Sequence, residues 1–302
     1  MVKTFKEELS ELAREGFLTF EKNKPLSSCS SCRIGGEADF ALYPRNPEGF
    51  CRAYTLSLQY EKNLRVMGAC TNVLFPDEGY RGVILFTTDM NQVSQEGETL
   101  LADAGENLTA LSVKAWKAGL SGLEFAYGIP GSVGGGVFMN AGAYDHSLEE
   151  VVSKSRFYDP KSRTFGEYKG KDHCFSYRHS VYNDGNRVIL SAEFSLKKDD
   201  PQEIRARMED YMQRRKSKQP LEYPSAGSVF KRYPGYFTAK LIEEAGLKGL
   251  TVGGAQVSPK HAGFIVNLGS ATAADVQKLV SIIEEEIYRR NGIRIERELI
   301  YF

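Results

Sequence analysis

The chain has 302 residues, 41% of them hydrophobic and 26% charged, which is typical of a globular enzyme of about two domains and excludes a mainly disordered chain. Lys and Arg together number 39, as do Asp and Glu, and a net charge of zero argues against a surface built for nucleic acid or an anionic membrane. No apolar run reaches the roughly 18 residues that a membrane span needs, and five scattered cysteines favour reduced thiols in a cytoplasmic protein.

The first two thirds of the chain predict one helix and several strands. Phe5 and Leu9 fall on one helical face, so the N-terminal segment is predicted to be an amphipathic helix and not a secretory signal. The apolar stretches 64–67 and 81–86 predict buried strands. Residues 187–196 alternate between apolar and polar side chains, which predicts a strand with one buried face.

The last third predicts three helices and a closing strand. Residues 201–218 open with proline and carry apolar side chains at helical spacing, which predicts a helix that starts a new unit after a cluster of charges. A short helix is predicted over 236–245 and a longer one over 272–290, whose start at Thr272 is a variant of the capping box. Residues 293–302 predict a final strand, and the whole pattern indicates an α+β fold.

Several familiar sites are disfavoured because their motifs are missing. The chain has neither the P-loop sequence nor the glycine pattern of a Rossmann dinucleotide site. Its four histidines form no H-x-x-x-H pair, and Cys29 and Cys32 make a single C-x-x-C, so we expect no bound metal and give a redox role for this pair little weight. Ser132 lies in a sequence unlike the G-x-S-x-G elbow, which argues against a serine hydrolase.

Two glycine-rich segments remain, each after apolar strand material. The first covers 66–85 and turns sharply at 68–72, and the second covers 127–147 and contains six glycines. Small residues let backbone N–H groups converge on an anionic oxygen, so two such segments could straddle a pyrophosphate. The alternative is that the glycines only make tight turns.

Six sequence blocks follow one another in an informative order. They are RIGGEADFALYP (33–44), VMGACTN (66–72), LEFAYGIPGSVGGGVFMNAGAY (123–144), FSYRHS (175–180), PSAGSVFKR (224–232) and LIEEAGLKG (241–249). Together they resemble the UDP-N-acetylenolpyruvoylglucosamine reductases, the FAD enzymes that make UDP-N-acetylmuramate for bacterial peptidoglycan. The resemblance covers nearly the whole chain, and the long glycine block and the Ala-Gly-Ser-Val-Phe-Lys block are its specific parts.

The resemblance implies an α+β fold with a two-lobed FAD-binding domain of the vanillyl-alcohol oxidase (PCMH) type and a smaller α+β substrate-binding domain. The implied boundaries are 1–88 for the first flavin lobe, joined by the C-terminal strand 294–302, then 89–215 for the second lobe and 216–293 for the substrate domain. Tight, non-covalent FAD, NADPH as co-substrate and UDP-N-acetylglucosamine enolpyruvate as substrate are implied too. The oligomeric state stays open, a monomer included.

The implied reaction sets requirements that three residues meet. Adding hydride to the β-carbon of an enolpyruvyl ether leaves enolate-like charge beside a carboxylate, so a cation and a proton donor are needed there. The resemblance places Arg178 as the cation, Ser228 as the proton donor and Glu298 as the group that assists at the enolate. Each has an ordinary alternative: a surface ion pair for Arg178, a turn cap for Ser228, and Glu296 as the residue that faces the site in place of Glu298.

The resemblance also implies the binding residues. For the substrate they are Tyr177, Lys218 and Arg232, with Lys218 at the diphosphate as a point charge. For FAD they are Gly68, Ala69, Cys70, Thr71, Asn72, Gly128, Ile129, Pro130, Gly131, Ser132, Gly134, Gly135, Asn140, Ala141, Gly142 and Arg215.

The chain departs from the family within these blocks. Cys70 and Thr71 stand where Gly-Ser is common, and Ser176 stands where the family commonly has Gly. The stretch between Arg178 and residue 216 is too short for the tyrosine-bearing substrate loop of one subclass, so we infer the subclass without it. Two alternative functions stay open: a flavin oxidase of the same fold that acts on an alcohol or sugar, and a protein that holds a flavin or nucleotide without turnover.

Overall fold

The computed structural model describes residues 3–233 and 235–302, which form two compact units. The first unit contains residues 3–22, 40–69 and 82–214, and the second contains 23–39, 70–81 and 215–302. Both units therefore combine stretches that are separated in the sequence, since 23–39 and 70–81 join the C-terminal third of the chain.

Seven α-helices lie within the described residues, and most begin beside a side chain that caps the first turn. Thr4 and Thr272 form capping boxes, and Asn46, Asn107 and Ser132 each accept a hydrogen bond from a backbone N–H of the first turn. These bonds satisfy donors that a helix end otherwise leaves unpaired. The helices are α1 (Phe5–Arg14), α2 (Pro47–Gln59), α3 (Leu108–Lys117), α4 (Val133–Met139), α5 (Pro201–Lys218), α6 (Thr238–Glu244) and α7 (Ala273–Asn291).

The same described ranges contain nineteen β-strands, several of only two residues. They are β1 (Leu18–Pro25), β2 (Glu37–Pro44), β3 (Leu64–Met67), β4 (Val73–Leu74), β5 (Tyr80–Phe86), β6 (Val93–Glu96), β7 (Thr99–Asp103), β8 (Leu120–Ser121), β9 (Gly142–Ala143), β10 (His146–Ser147), β11 (Val152–Asp159), β12 (Thr164–Lys169), β13 (Val188–Ser195), β14 (Lys197–Lys198), β15 (Ser225–Ser228), β16 (Thr251–Val252), β17 (Ala255–Val257), β18 (Phe264–Asn267) and β19 (Ile300–Tyr301).

Three sheets of four or five strands carry the fold. One has the order β1-β2-β5-β3, in which β3 and β5 are parallel, and another has the order β12-β11-β13-β7-β6 with antiparallel neighbours. The third sheet, β15-β18-β17-β16, lies in the second unit. The short pairs are β9 with β10, β8 with β14, and β4 with β19, the last of them parallel.

Each unit has its own hydrophobic core. In the first unit one cluster joins α1, α2 and β5, and another joins α3, α4 and β13. The core of the second unit joins α6, α7 and β17. Burying a large apolar side chain contributes about 1.5–3 kcal/mol, so these clusters are the main source of stability. Fully buried members are Leu9, Phe50, Leu85, Leu111, Val137, Phe194, Ile242, Val257 and Leu279.

Most predicted elements are confirmed. The helices α1, α5 and α7 and the strands β3 and β5 form where the sequence predicts them, and α6 is shorter than its predicted range. The prediction of one buried face for β13 is wrong, because both faces are covered: the successive residues Ile189 and Leu190 lie in the α3–α4 cluster and the α1–α2 cluster, respectively. Even Ser191 is buried there. Among the described helices none is long and apolar enough to cross a membrane.

The predicted C-terminal strand is only partly formed. Its backbone bonds go to two separate segments. Lys231 N–H donates to Glu296 O (2.8 Å) and Glu298 N–H to Val229 O (2.8 Å), whereas Ile300 N–H donates to Asn72 O (3.1 Å). Because the partner changes along the chain, a regular ladder exists only at β19. The segment is thereby attached to both β4 and the end of β15.

Candidate functional site

The glycine block forms a short helix that starts at a buried serine. Ser132 is 1% exposed, and its Oγ accepts a hydrogen bond from Gly135 N–H at 3.3 Å, which makes it the N-cap of α4. A hydroxyl used in this way and withdrawn from solvent is a poor nucleophile. The expectation that Ser132 is not a hydrolase nucleophile therefore has a structural reason.

At several glycines of the block, a side chain would come too close to neighbouring atoms. A Cβ at Gly134 would lie 3.0 Å from Ala104 Cβ, and one at Gly136 would lie 2.9 Å from Leu108 Cδ1. A Cβ at Gly142 would collide with the backbone oxygen of His146 in the β9–β10 hairpin, and one at Gly68 would collide with Ser132 Oγ. The last contact shows that the start of the first glycine-rich turn lies against the cap of α4.

Gly135 is the exception, because neither packing nor backbone conformation requires it. The residue is exposed, its φ is not positive, and a Cβ there would meet only Ser132 Oγ, at an ordinary 3.4 Å. Glycine inside a helix costs roughly 0.5–1 kcal/mol relative to alanine. An exposed glycine that lowers helix stability is consistent with a flat ligand that lies directly against the backbone of α4, as a bound flavin dinucleotide would.

The block does not offer the cluster of open N–H groups that the sequence predicts. Gly128 N–H donates to Thr109 Oγ1 (3.0 Å) and Gly134 N–H to Ala104 O (2.8 Å), while Gly135 N–H bonds Ser132. For these three residues the structure favours the alternative of tight turns, since their donors are used to fold the block. Because these residues have no side chains, they can let a ligand come close to the backbone.

The turn that enters α4 is held from the side of α3. Thr109 Oγ1 also donates to Ile129 O at 3.3 Å, and Leu108 N–H donates to Gly131 O at 3.0 Å. Gly128 and Gly131 have φ of +88° and +141°, which side chains other than glycine rarely adopt. Pro130 lies exposed between them. Thr109 is thus a supporting residue that the sequence analysis missed, and no local motif signalled it.

The far end of α4 turns sharply into the β9–β10 hairpin. Asn140 ends the helix in the left-handed conformation, with φ of +43°. Ala141 N–H donates to Gly136 O, and Ala141 O accepts from Leu148 N–H at 3.0 Å. Gly142 follows at the start of β9. This end of the block is therefore fixed from within the first unit.

The other predicted flavin turn, 68–72, contributes to both units. Half-buried Gly68 and Ala69 belong to the first, and Cys70 to Asn72 belong to the second. Thr71 O accepts from Ser31 Oγ at 3.2 Å, and Asn72 Nδ2 donates to Glu298 O at 2.9 Å. Burial raises the pKa of the Cys70 thiol, so this cysteine is not a reactive thiolate at neutral pH.

Arg178 lies in a tight turn. Ser176 N–H donates to His179 O (3.2 Å) and His179 N–H donates to Ser176 O (3.1 Å), which leaves Tyr177 and Arg178 at the tip. Arg178 is half-buried, with φ of +54°, and its Nη2 donates to Gly142 O at 3.3 Å. Tyr177 is 49% exposed, and its ring lies 5.0 Å from Arg178 Cζ. The guanidinium is therefore directed at the glycine block and is not a simple surface charge.

Ser228 ends strand β15 at an irregularity in the sheet. It pairs with Phe264 across β18, and the register shifts between Ser225 and Ser228. Gly227, with φ of +78°, allows this bend. Ser228 is half-buried, and the next residue, Val229, donates its N–H to Gly263 O at 2.9 Å. The hydroxyl is thus fixed to a backbone that is bonded on both sides of the strand.

The structure distinguishes the two glutamates that the sequence could not. Glu296 has a side chain 75% exposed and forms an ion pair with Lys231 Nζ at 3.3 Å. Glu298 is half-buried, and its N–H donates to Val229 O, the carbonyl of the residue after Ser228. The backbone of Glu298 is therefore bonded to the residue after Ser228, whereas the side chain of Glu296 belongs to the surface.

The three remaining predicted binding residues lie in the second unit. Arg215 is buried, and its Nη1 donates to Gln219 Oε1 at 3.1 Å. Lys218 is exposed at the end of α5. Arg232 is exposed too, with Cζ 5.4 Å from the Phe237 ring.

Two other features of the described chain lie apart from these residues. An open groove of about 480 Å³ between α1 and α2 is lined by residues such as Glu11 and Arg52 and by none of the predicted site residues. Within residues 3–233 and 235–302, no group of three or more His, Cys, Asp and Glu side chains is arranged to hold a metal ion.

Comparisons with known proteins cover most of the chain. Residues 38–165 match the model of an FAD binding domain, and residues 219–302 match the C-terminal domain of UDP-N-acetylenolpyruvoylglucosamine reductase. A reductase of that name from Pediococcus pentosaceus is 44% identical over 92% of this chain and 92% of its own length. Another from Caldicellulosiruptor bescii is 43% identical over 93% of this chain and 90% of its own length. A solved reductase from Thermus caldophilus has a TM-score of 0.82 at 33% identity and covers 95% of this chain and 100% of its own.

Proposed function

The chain belongs to the UDP-N-acetylenolpyruvoylglucosamine reductase family, and we propose that it reduces UDP-N-acetylglucosamine enolpyruvate to UDP-N-acetylmuramate in the cytoplasm, with NADPH as the electron donor. It is an FAD-dependent oxidoreductase of peptidoglycan precursor synthesis, with the α+β fold and FAD-binding domain that the sequence implies. The subclass without the tyrosine loop and the three functional domain boundaries are part of the proposal.

One observation carries the assignment of the chemistry. Ser228 and Glu298, 70 positions apart, lie on neighbouring backbone segments of the second unit, because Glu298 N–H donates at 2.8 Å to the carbonyl of Val229, the residue after Ser228. This backbone bond supports the proposal that the serine hydroxyl and the Glu298 carboxylate act on the same substrate.

Bound FAD supplies the two-electron redox chemistry that side chains lack. We propose that Gly68, Gly128, Gly131 and Gly135 give it backbone surface to lie against, together with the other FAD-binding residues named from the sequence except Asn140, whose side chain bonds protein groups. Gly135 supports this role, since neither packing nor backbone conformation requires glycine there. Arg215 is proposed to reach the same cofactor.

The protein residues handle charge and protons. Arg178 is proposed to stabilise the negative charge that develops beside the substrate carboxylate, since a fixed cation is most effective where charge appears in the transition state. Ser228 Oγ holds the proton that is delivered to the α-carbon, and Glu298 orders the enolate end through hydrogen bonding. Tyr177, Lys218 and Arg232 are proposed to bind the UDP-sugar, the two cations through its phosphates.

The test uses purified protein reconstituted with FAD. The wild type should be yellow and oxidise NADPH only when the enolpyruvyl UDP-sugar is added. Ser228→Ala should leave flavin reduction by NADPH nearly normal and slow substrate reduction by roughly 10²–10⁴, the scale of acid–base catalysis. Normal substrate reduction by this variant would show that Ser228 is not the proton donor, and a protein that takes up no FAD would overturn the whole proposal.

Glu296 provides a matched control for Glu298. Glu298→Gln removes the charge next to Ser228 and should slow substrate reduction, whereas Glu296→Gln removes only an exposed ion pair worth about 0–1 kcal/mol and should leave turnover within twofold. Equal effects of the two variants would contradict the assignment of Glu298.

A further inference from the structure

Three hydrogen bonds join the far end of α4 to the turn that carries Arg178. Ser180 Oγ donates to Phe138 O at 2.8 Å, Asn140 Nδ2 donates to Ser176 O at 3.0 Å, and Arg178 Nη2 donates to Gly142 O at 3.3 Å. All of these residues lie in the first unit. The glycine block and the Arg178 turn are therefore one connected piece of structure, although 36 residues separate Asn140 from Ser176.

Asn140 is at the centre of this connection. It is 2% exposed, and its side-chain amide bonds protein groups at both ends. Besides Ser176 O, its Nδ2 donates to Glu149 Oε2 at 2.6 Å, and its Oδ1 accepts from Glu149 N–H at 3.0 Å. An amide nitrogen has two protons to donate, so Asn140 has no donor left for a ligand. Its side chain therefore does not bind FAD in the way that the sequence implied.

The backbone conformation at position 140 also favours asparagine. With φ of +43° Asn140 closes α4 in the left-handed region, which asparagine tolerates better than most residues. Aspartate would fit the backbone but would lose the donor to Ser176 and place a second carboxylate against Glu149. Glycine would fit without strain but would lose every side-chain bond.

The opposite side of the turn has its own support. His173 stacks on Phe175, with ring centroids 4.8 Å apart and an interplanar angle of 1°, and its Nε2 is 2.8 Å from Ser155 Oγ. This support fixes the residues before the turn to the sheet strand β11. The bond from Asn140 instead fixes the first residue of the turn, Ser176, to the glycine block.

We propose that Asn140 is a positioning residue that sets where Arg178 lies relative to the flavin-binding block. This inference rests on the proposed function, since it assigns Asn140 to the step in which Arg178 stabilises charge on the substrate. Loss of the Ser176 bond releases the turn on its inner side, and a displacement of about 1 Å in a catalytic group can cost on the order of 10²-fold in rate.

The first measurement is Asn140→Asp in the FAD-loaded enzyme. We expect kcat/KM for the enolpyruvyl UDP-sugar to fall about 10- to 100-fold, with the Kd for FAD, the flavin absorption spectrum and the rate of flavin reduction by NADPH all within twofold of the wild type. An equal loss in both half-reactions would overturn the proposal, because it would mean general damage to the flavin site.

The second measurement removes the charge clash. Asn140→Asp combined with Glu149→Gln restores a hydrogen-bonded pair at 140 and 149 but not the donor to Ser176. We expect the Tm to return towards the wild-type value while kcat/KM stays low. Recovery of both would overturn the proposal, since the clash and not the lost Ser176 bond would then explain the defect. Asn140→Gly serves as the variant if the aspartate protein does not fold, because glycine accepts the left-handed backbone.

The deciding experiment is a double-mutant cycle with Arg178→Ala, measured by single-turnover reoxidation of the reduced flavin by substrate. If Asn140 acts through Arg178, Asn140→Asp should cost less than about twofold further once Arg178 is absent, because coupled residues are non-additive. Additive losses would overturn the proposal. A wild-type enzyme that fails to reduce the UDP-sugar would instead refute the proposed function, so the two failures are distinguishable.

Discussion

Gly135→Ala tests whether the open face of α4 is a ligand surface. The substitution adds one methyl group to an exposed residue of the helix. Among the described residues, and apart from the backbone of α4 and the adjacent residues, only Ser132 Oγ would lie within 4 Å of the new Cβ, at 3.4 Å. That distance is an ordinary van der Waals contact, so the protein itself offers no steric resistance. Any loss of function must then come from what lies against α4 from outside.

The expected effect on the apoprotein is a gain in stability. Replacing glycine by alanine within a helix contributes roughly 0.5–1 kcal/mol, since the unfolded chain loses freedom that glycine alone has. For a folding unit of about 200 residues this corresponds to a rise of about 1–4 °C in Tm. Differential scanning calorimetry of FAD-free protein measures it.

The expected effect on FAD binding has the opposite sign. A methyl group forced into a closely packed contact costs typically 1–3 kcal/mol, which corresponds to a Kd for FAD about 5- to 150-fold weaker. Titration of the apoprotein with FAD, followed by flavin fluorescence, gives the Kd. Binding with the wild-type Kd would refute the argument that Gly135 lies against the cofactor.

Gly136→Ala is the control from the same helix. Its Cβ would lie 2.9 Å from Leu108 Cδ1 and 3.0 Å from Leu148 Cδ1, and both leucines are fully buried. This variant should lower the Tm of the apoprotein, because overpacking a core costs about 1–3 kcal/mol. If both variants lowered the Tm, the helix would not be open at Gly135 as described.

Two further substitutions probe the buried polar groups of the first unit. Ser132→Ala removes the N-cap of α4 and should lower the free energy of unfolding by about 0.5–2 kcal/mol. The FAD-loaded variant should keep the turnover rate of the wild type. A turnover rate below a hundredth of the wild-type value would mean that the hydroxyl takes part in the reaction. Burial lowers the pKa of His173 below the usual 6.5, against smaller opposing effects of the hydrogen bond to the Gly170 carbonyl and of the Asp172 charge. The stabilisation from this neutral imidazole is therefore complete above about pH 6.5 and is lost as the pH falls below that value. The Tm of the wild type should accordingly drop more between pH 7 and pH 5 than the Tm of His173→Gln. Burial also lowers the pKa of His261, but this residue is present in both proteins. Equal changes of Tm with pH would therefore contradict the assignment to His173.

The predictions from local sequence signals are the ones that the structure reproduces. The capping box at Thr272 and the apolar stripe of α7 lie within a few residues of each other, so their meaning does not depend on the rest of the fold. The strand β13 shows the limit of such signals, because Leu190 packs in a second cluster that includes Phe50 and Met90 from distant parts of the chain. The C-terminal segment shows the same limit, since its bonding partners at Asn72, Val229 and Lys231 are non-local.

The candidate site could be listed from sequence only as separate blocks. The two glutamates are distinguished by the backbone bond from Glu298 to Val229 and by the exposed ion pair of Glu296 with Lys231, and neither fact has a local signature. In the same way, the glycine block was expected to offer donors, but most of those N–H groups hold α4 to Ala104 and Thr109. Sequence therefore gives the chemistry of the residues, and the hydrogen bonds decide how each one is used.

Backbone conformation explains one departure from the family that the sequence left without a reason. Cys70 has φ of +51°, a region where glycine has no steric cost and other residues are strained by roughly 1–2 kcal/mol, so the glycine common at this position in the family suits the turn. Two interactions offset the strain here: the thiol is buried, and Cys70 O accepts from Ser31 N–H at 3.4 Å. Arg178 and Asn140 are likewise left-handed, and each is held by hydrogen bonds on both sides. Strain of this kind persists only where the surrounding structure fixes it, so the turns at 70, 140 and 178 are rigid parts of the site.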